Sequence, residues 1–295
     1  MDWTFVPVTE HYEFTEGPAW VPDEDVLYFS DIGNDCIRRY DPATGDVSVW
    51  VRETNGANGL ALGPDGAIYC CEMDGHSVVR YERDPGGDRD GTRTTIVESY
   101  GDARLNSPND LVFDSAGRLW FTDPDYDHQD DLELGHFSVY RIDDPTDADA
   151  PVDDLVRVTR DTTNPNGLAI SPDEATLYVA QSEYGEGNPR ELRAYSLEDG
   201  RAAEYEVLHN FYPHRGIDGM CLDAAGNLVA AAGSHGGGPG PMYYVFTPAG
   251  RVMETHPYPG DTPTNCTFGG ESRRDLYVTG FDAPVYRVET GRAGQ

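Results

Sequence analysis

The sequence contains no lysine: its 21 basic residues are all arginine, set against 53 Asp and Glu, for a formal net charge of −32. So acidic a chain repels phosphate backbones and anionic headgroups, so neither nucleic acid nor a membrane surface is an expected partner. Long apolar runs are also missing, which excludes a transmembrane helix. The opening residues MDWTFVPVTEHYEF lack a basic stretch leading into an apolar one. No secretory signal is read there, and a cytoplasmic location is expected. Cysteine is sparse: Cys36, Cys70, Cys71, Cys221 and Cys266, an odd number with no CxxC spacing. These read as reduced, mostly buried thiols rather than a disulfide framework. The G-x-S-x-G elbow of serine esterases is absent. No G-x-G-x-x-G follows a strand and opens a helix, so a nicotinamide site is not expected either. The acids are spread along the chain, as in DPATGD and DDPTDADAPVDD. That distribution suits the solvated surface of a halophilic protein better than one cation-binding patch.

What the chain does have is a repeat. The segments EGPAWVPDEDVLYF, NGLALGPDGAIYC, NDLVFDSAGRLWF, NGLAISPDEATLYV, DGMCLDAAGNLVA and NCTFGGESRRDLYV align. Each opens on an oxygen-bearing side chain: Glu16, Asn58, Asn109, Asn166, Asp218 and Asn265. An apolar run, a Gly/Pro/Asp turn and a second apolar run follow, which is hairpin chemistry. Third strands are read at CIRRYD, SVVRYE, FSVYRID, ELRAYS, MYYVFT and PVYRVE, and fourth strands at VSVWV, TTIVES, DLVRVT, YEVLHN and RVMETH. The sixth unit ends without a fourth strand, and WTFVPV near the start has the character to supply it. The expectation is an all-β, six-bladed β-propeller of four-stranded antiparallel blades, closed by the N-terminal strand, as a single domain over residues 1–295.

In a propeller the first strands line the axis, so the six opening residues should converge at one end of the channel. Loops joining second and third strands lie at that same end and should form the mouth of a pocket. Asn58 or Asn166 alone reads as an ordinary turn residue. Six in phase read as a ring. Two carboxylates in that ring, Glu16 and Asp218, repel each other unless a cation sits between them. Carboxylate and amide oxygens suit a hard divalent cation. The expected cofactor is one such ion, Ca2+ first, with Mg2+, Mn2+, Zn2+ or Fe2+ as alternatives. Mouth-loop candidates for substrate contact are His76, Asp123, Tyr126, His128, Tyr184 and His235, with Asp31 also pointing that way.

The segments EGPAW, SPNDLVFDSAGRLWFTDP, NPNGLAISPD, IDGMCLDAAGNL and PTNCTFGG resemble the senescence-marker-protein/gluconolactonase family, which includes regucalcin and bacterial gluconolactonases. The resemblance covers nearly the whole chain. It implies an axial divalent metal and hydrolysis of sugar lactones. By motif, it implies that Glu16, Asn166 and Asp218 bind the metal, and that Asn109 binds the metal or the substrate. It also suggests Asp218 as the base acting on the attacking water. Animal members carry an arginine two residues before the equivalent of Asn109, where this chain has Ser107. Arg104 or a mouth-loop residue is the expected substitute. The related fluorophosphatases carry a channel histidine in the last blade, whereas this chain has Asn265.

The leading expectation is a metal-dependent lactonase that opens an aldonolactone, such as glucono-, xylono- or arabinonolactone, to the sugar acid. The alternatives are a fluorophosphatase-like or other esterase on the same metal site, and a non-catalytic propeller that binds calcium or a sugar acid. The expected partner is a small-molecule lactone.

Overall fold

The computed structural model of the chain describes residues 3–126, 131–146, 155–198 and 200–295. Apart from a short 3-10 turn at Ile32–Asn34, the regular elements among the described residues are all strands. Strands β1 (Phe5–Val21), β2 (Val26–Asp31), β3 (Cys36–Asp41) and β4 (Asp46–Arg52) are followed by β5 (Ala57–Leu62), β6 (Ile68–Glu72), β7 (Ser77–Tyr81) and β8 (Arg93–Val97). A two-stranded ladder, β9 (Ser99–Tyr100) with β10 (Ala103–Arg104), precedes β11 (Leu111–Phe113), β12 (Leu119–Asp123), β13 (Ser138–Ile142) and β14 (Val156–Arg157). Next come β15 (Pro165–Ile170), β16 (Thr176–Ser182), β17 (Arg190–Glu198) and β18 (Arg201–Asn210). The chain finishes with β19 (Ile217–Leu222), β20 (Leu228–Ala232), β21 (Met242–Phe246), β22 (Val252–Pro257), β23 (Thr262–Gly269) and β24 (Asp275–Glu289).

The all-β propeller stands, but the expected six separate four-stranded blades do not. The described residues form five propeller sheets. Four have four strands each, and the fifth has six, in the order β23-β24-β1-β2-β3-β4. The merger has a local cause. Strand β1 runs unbroken for 17 residues, and the stretch VPVTEHYEF within it contains no turn dipeptide. Its first part pairs with β24, from Phe5 opposite Val288 to Phe14 opposite Phe281, and its last part pairs with β2, from Thr15 opposite Asp31 to Val21 opposite Val26. Strand β24 turns back on itself at Asp282, whose φ is +46°, and the Thr290 amide donates to the Arg274 carbonyl across the two arms. First and last units are thereby joined in one hydrogen-bonded sheet.

Second strands such as β2 and β20 are buried along their whole length, and β18 is mostly exposed. Apolar side chains therefore pack between neighbouring sheets, as they must when both faces are covered. Trp20 stacks on Tyr277 at 5.3 Å within the six-stranded sheet.

The inner strands share one irregularity. Register breaks between Glu16 and Ala19, Ala57 and Leu60, Pro165 and Leu168, Ile217 and Met220, and Pro263 and Cys266. The same break precedes β11, where the Asn109 amide donates to Thr122 O and the Thr122 amide donates to Asp110 O. A bulge takes residues out of the ladder and re-aims their side chains. Here the displaced residues are the six polar openers and their followers. Four followers are glycine: Gly17, Gly59 and Gly167 let neighbouring strands touch backbone to backbone, and Gly219 leaves room for the Asn265 side chain. A Cβ on Gly17 would lie 2.1 Å from Asn58 O, and one on Gly167 2.4 Å from Asp218 O. Gly17 also has φ +49°, which L side chains rarely adopt. Gly17→Ala should therefore cost at least ~2 kcal/mol of stability. Urea unfolding of the variant against the parent measures it, and an unchanged midpoint would contradict the close packing at the axis.

Candidate active site

Each inner strand delivers its opening residue to the axis through the bulge just described. Glu16, Asn58, Asn109, Asn166, Asp218 and Asn265 are all buried. They are not equivalent. Glu16 Oε2 accepts a 2.7 Å bond from the Gly17 amide, and Asn265 Oδ1 accepts one of 2.8 Å from the Cys266 amide. Asn58 turns its amide to Met73 Sδ at 3.1 Å. Asn166 Nδ2 donates to Tyr126 Oη at 3.1 Å. Asp218 is paired through Oδ2 with Arg215. The Arg215 guanidinium also donates to the Pro263 carbonyl at 3.2 Å and the Gly233 carbonyl at 3.4 Å.

The electrostatics follow from burial. Glu16 is pushed well above the usual carboxylate range by burial, then by the charges of Asp218 and Asp110. Asp218 is raised by burial, although Arg215 and the Asn166 amide pull the other way. Asp110 is pushed up to about 7, chiefly by burial, against the pull of the Leu111 amide and the Asn265 side chain. Burial likewise raises Tyr126. Three carboxylates thus share a dry site in which Arg215 is the countercharge among the described residues. Such a set keeps protons or takes a cation. Among the described residues no group of three or more His, Cys, Asp and Glu is arranged as a metal site. The axial group differs in kind, since it mixes carboxylates with amide oxygens. That donor set, with its unbalanced negative charge, fits a hard divalent cation.

The expected substrate contacts are scattered. Asp123 is fully buried, and its carboxylate accepts bonds from the Asn106 and Ser107 amides at 3.0 and 2.9 Å. It shapes the loop that delivers Asn109. Arg104 belongs to the β9–β10 ladder and donates to Asp131 at 3.0 Å. Tyr184 is 60% exposed, lies 5.3 Å from the Tyr126 ring and is near enough to Arg215 to interact with its charge. His235 lies 3.0 Å from Asp261 on the surface. His76 meets the Asn106 carbonyl. Asp31 is buried in a pair with Arg38 at 2.6 Å. His128 lies outside the described residues.

Sequence reasoning missed Asp110 and Arg215. Asp110 had a signal: it stands directly after an opener, where four of the six units have glycine. Arg215 stands three residues ahead of Asp218, a spacing with no repeat to reveal it. A cavity of about 460 Å3 opens at the other end of the channel, lined by Asp110, Met220, Cys221, Asn265, Cys266 and apolar residues of the inner strands.

Comparison with known proteins bears on this site. The family model described as SMP-30/Gluconolactonase/LRE-like region matches residues 14–281. A gluconolactonase of Zymomonas mobilis is 32% identical over 97% of this chain and 81% of its own length. A pentonolactonase of Haloferax volcanii is 30% identical over 90% of this chain and 80% of its own. The structure of a gluconolactonase from Xanthomonas campestris superposes with a TM-score of 0.82 at 30% identity, covering 97% of this chain and 89% of that one.

Two outcomes follow from the buried carboxylates. In chelator, Glu16→Gln should melt higher than the parent, because it removes a charge that neighbouring acids oppose, and added calcium should stabilise it less. A variant that melts lower in chelator would contradict this. The second concerns pH. Asp110 moves from 3.8 unfolded to about 7 folded, so its folded form holds the proton more tightly. The cation-free protein therefore loses stability as pH rises through that window. Asp110→Asn should flatten this fall in thermal melts, and an unchanged slope would count against it.

Proposed function

Because the chain belongs to the SMP-30/gluconolactonase/LRE-like family, we propose that it is a metal-dependent lactonase that opens an aldonolactone to the sugar acid. The observation carrying this reading is the axial convergence of Glu16, Asn166 and Asp218 in a buried site short of positive charge. Named relatives acting on gluconolactone and pentonolactone support the substrate class.

In this reading Glu16, Asn166 and Asp218 hold one divalent cation, Ca2+ by the hardness of the donors, with Asn109 as a fourth ligand or a contact to substrate. When bound, the cation supplies Lewis acidity toward the lactone carbonyl. The remaining work belongs to the chain. Asp218 orients the attacking water and takes its proton as the water oxygen bonds to the carbonyl carbon. When the ring C–O bond then breaks, that proton passes to the leaving ring oxygen, which becomes a hydroxyl of the sugar acid. Arg215 fixes Asp218 by holding Oδ2. A lactone is an activated ester, so a modest base that orients water suffices. Tyr126 sets the Asn166 amide, and the Tyr126–Tyr184 pair offers an aromatic wall with hydroxyls for a sugar ring. Arg215 also fills the need for a cationic group that Ser107 leaves open. Asp123 acts through the Ser107 loop rather than on the substrate.

Asp218→Asn should lower kcat/KM on aldonolactones by about 100-fold or more while leaving the fold intact. A panel of lactones, a phosphotriester and a simple ester, each with calcium and with chelator, tests the reading. Wild-type rates in the variant would overturn the role of Asp218. An absence of chelator-sensitive hydrolysis on every lactone would overturn the lactonase.

A further inference from the structure

The five cysteines have no part in the chemistry above, but two of them are placed together. Cys221 lies on β19 and Cys266 on β23, in neighbouring sheets, and their Sγ atoms are 3.4 Å apart. Both line the cavity at the end of the channel away from the mouth loops. Cys221 is partly exposed there, and Cys266 is buried behind it. The other three thiols are fully enclosed in the core: Cys36 is 1% exposed, and Cys70 and Cys71 are at 0%. Adjacent in sequence, Cys70 and Cys71 sit on one strand, where their side chains point to opposite faces. Only the 221/266 pair thus combines proximity with access.

We propose that Cys221 and Cys266 form a thiol–disulfide exchange site, which closes into an intrachain disulfide when a small-molecule disulfide enters the rear cavity. Cys221 is the entry thiol because it is the one that solvent reaches. Its thiolate attacks one sulfur of the incoming disulfide RSSR, forming a Cys221–SR bond and releasing RS⁻. Cys266 Sγ then attacks Cys221 Sγ, the Cys221–SR bond breaks, and a second RS⁻ leaves. The two thiol protons end on the two leaving thiolates. In sum, RSSR is reduced to two RSH while the pair is oxidised, and the step reverses in excess thiol. Burial pushes the Cys266 thiol up, which makes it a poor first attacker but leaves it close enough to resolve a mixed disulfide on its neighbour. The bridge ties β19 to β23 directly beneath the carboxylate cluster, three residues from Asp218 and one from Asn265.

The test is to treat the folded full-length protein with oxidised glutathione, quench by alkylation under denaturing conditions, and map the peptides. The expected result is a fall in alkylated thiols from five to three, a loss of two hydrogen masses, and a Cys221–Cys266 cross-linked peptide. The Cys221→Ser variant should keep all four of its thiols under the same treatment. Five unchanged thiols, a stable glutathione adduct at Cys221 with no cross-link, or a bridge between any other pair would each overturn the proposal. The readout is independent of lactone hydrolysis, so its failure leaves the proposed activity untouched.

Discussion

The structure depends on a conflict at its axis: acidic side chains are brought together where water cannot solvate them. Glu16 and Asp218 sit in the channel with Asp110 beside them, and among the described residues Arg215 is paired with Asp218. A fold under selection for stability alone would place apolar residues there. Holding the carboxylates inward requires bulges that break the ladder in each inner strand, and glycines that allow backbones to meet. Both features weaken a sheet locally. Both recur round the ring, and packing alone supplies no reason for them.

In the proposed reading a divalent cation, held by Glu16, Asn166 and Asp218, would resolve that conflict by neutralising the carboxylates, and would supply Lewis acidity toward a carbonyl oxygen. Arg215 holds Oδ2 of Asp218, which in that reading leaves the other oxygen to the site. The aromatic pair Tyr126 and Tyr184 stands at the mouth, linked to the axis through Asn166 and Arg215. In the proposed reading, substrate recognition and the reacting groups are thus mechanically connected.

Much of this was legible in the sequence because the repeat has a physical meaning. An opener with an oxygen, followed in four of the six units by glycine, then an apolar run, is the signature of a bulged inner strand, and all six openers are buried at such a break. Closure of the last unit by the N-terminal strand was legible, and β1 does pair with β24; what was not is that the same strand from Phe5 to Val21 runs on to pair with β2, merging the first and last units in one sheet. Single residues without a repeat were harder. Arg215 precedes its strand and is unique to its unit. Asp110 hides behind Asn109, at a position where most units need glycine. Asp123 was legible as a polar residue after a strand, but only coordinates show its carboxylate turned inward to two backbone amides. Exposure of a loop side chain is a tertiary property that local pattern does not encode.

The central claim is that the axial carboxylates and amides form one cation site. Diffraction from crystals grown with calcium, recorded so that anomalous signal identifies the ion, tests it most directly. The account predicts a single axial peak with Glu16, Asn166 and Asp218 oxygens at about 2.3–2.6 Å. A channel without an ion at saturating calcium, or an ion held elsewhere with Asp218 still paired to Arg215, would contradict it.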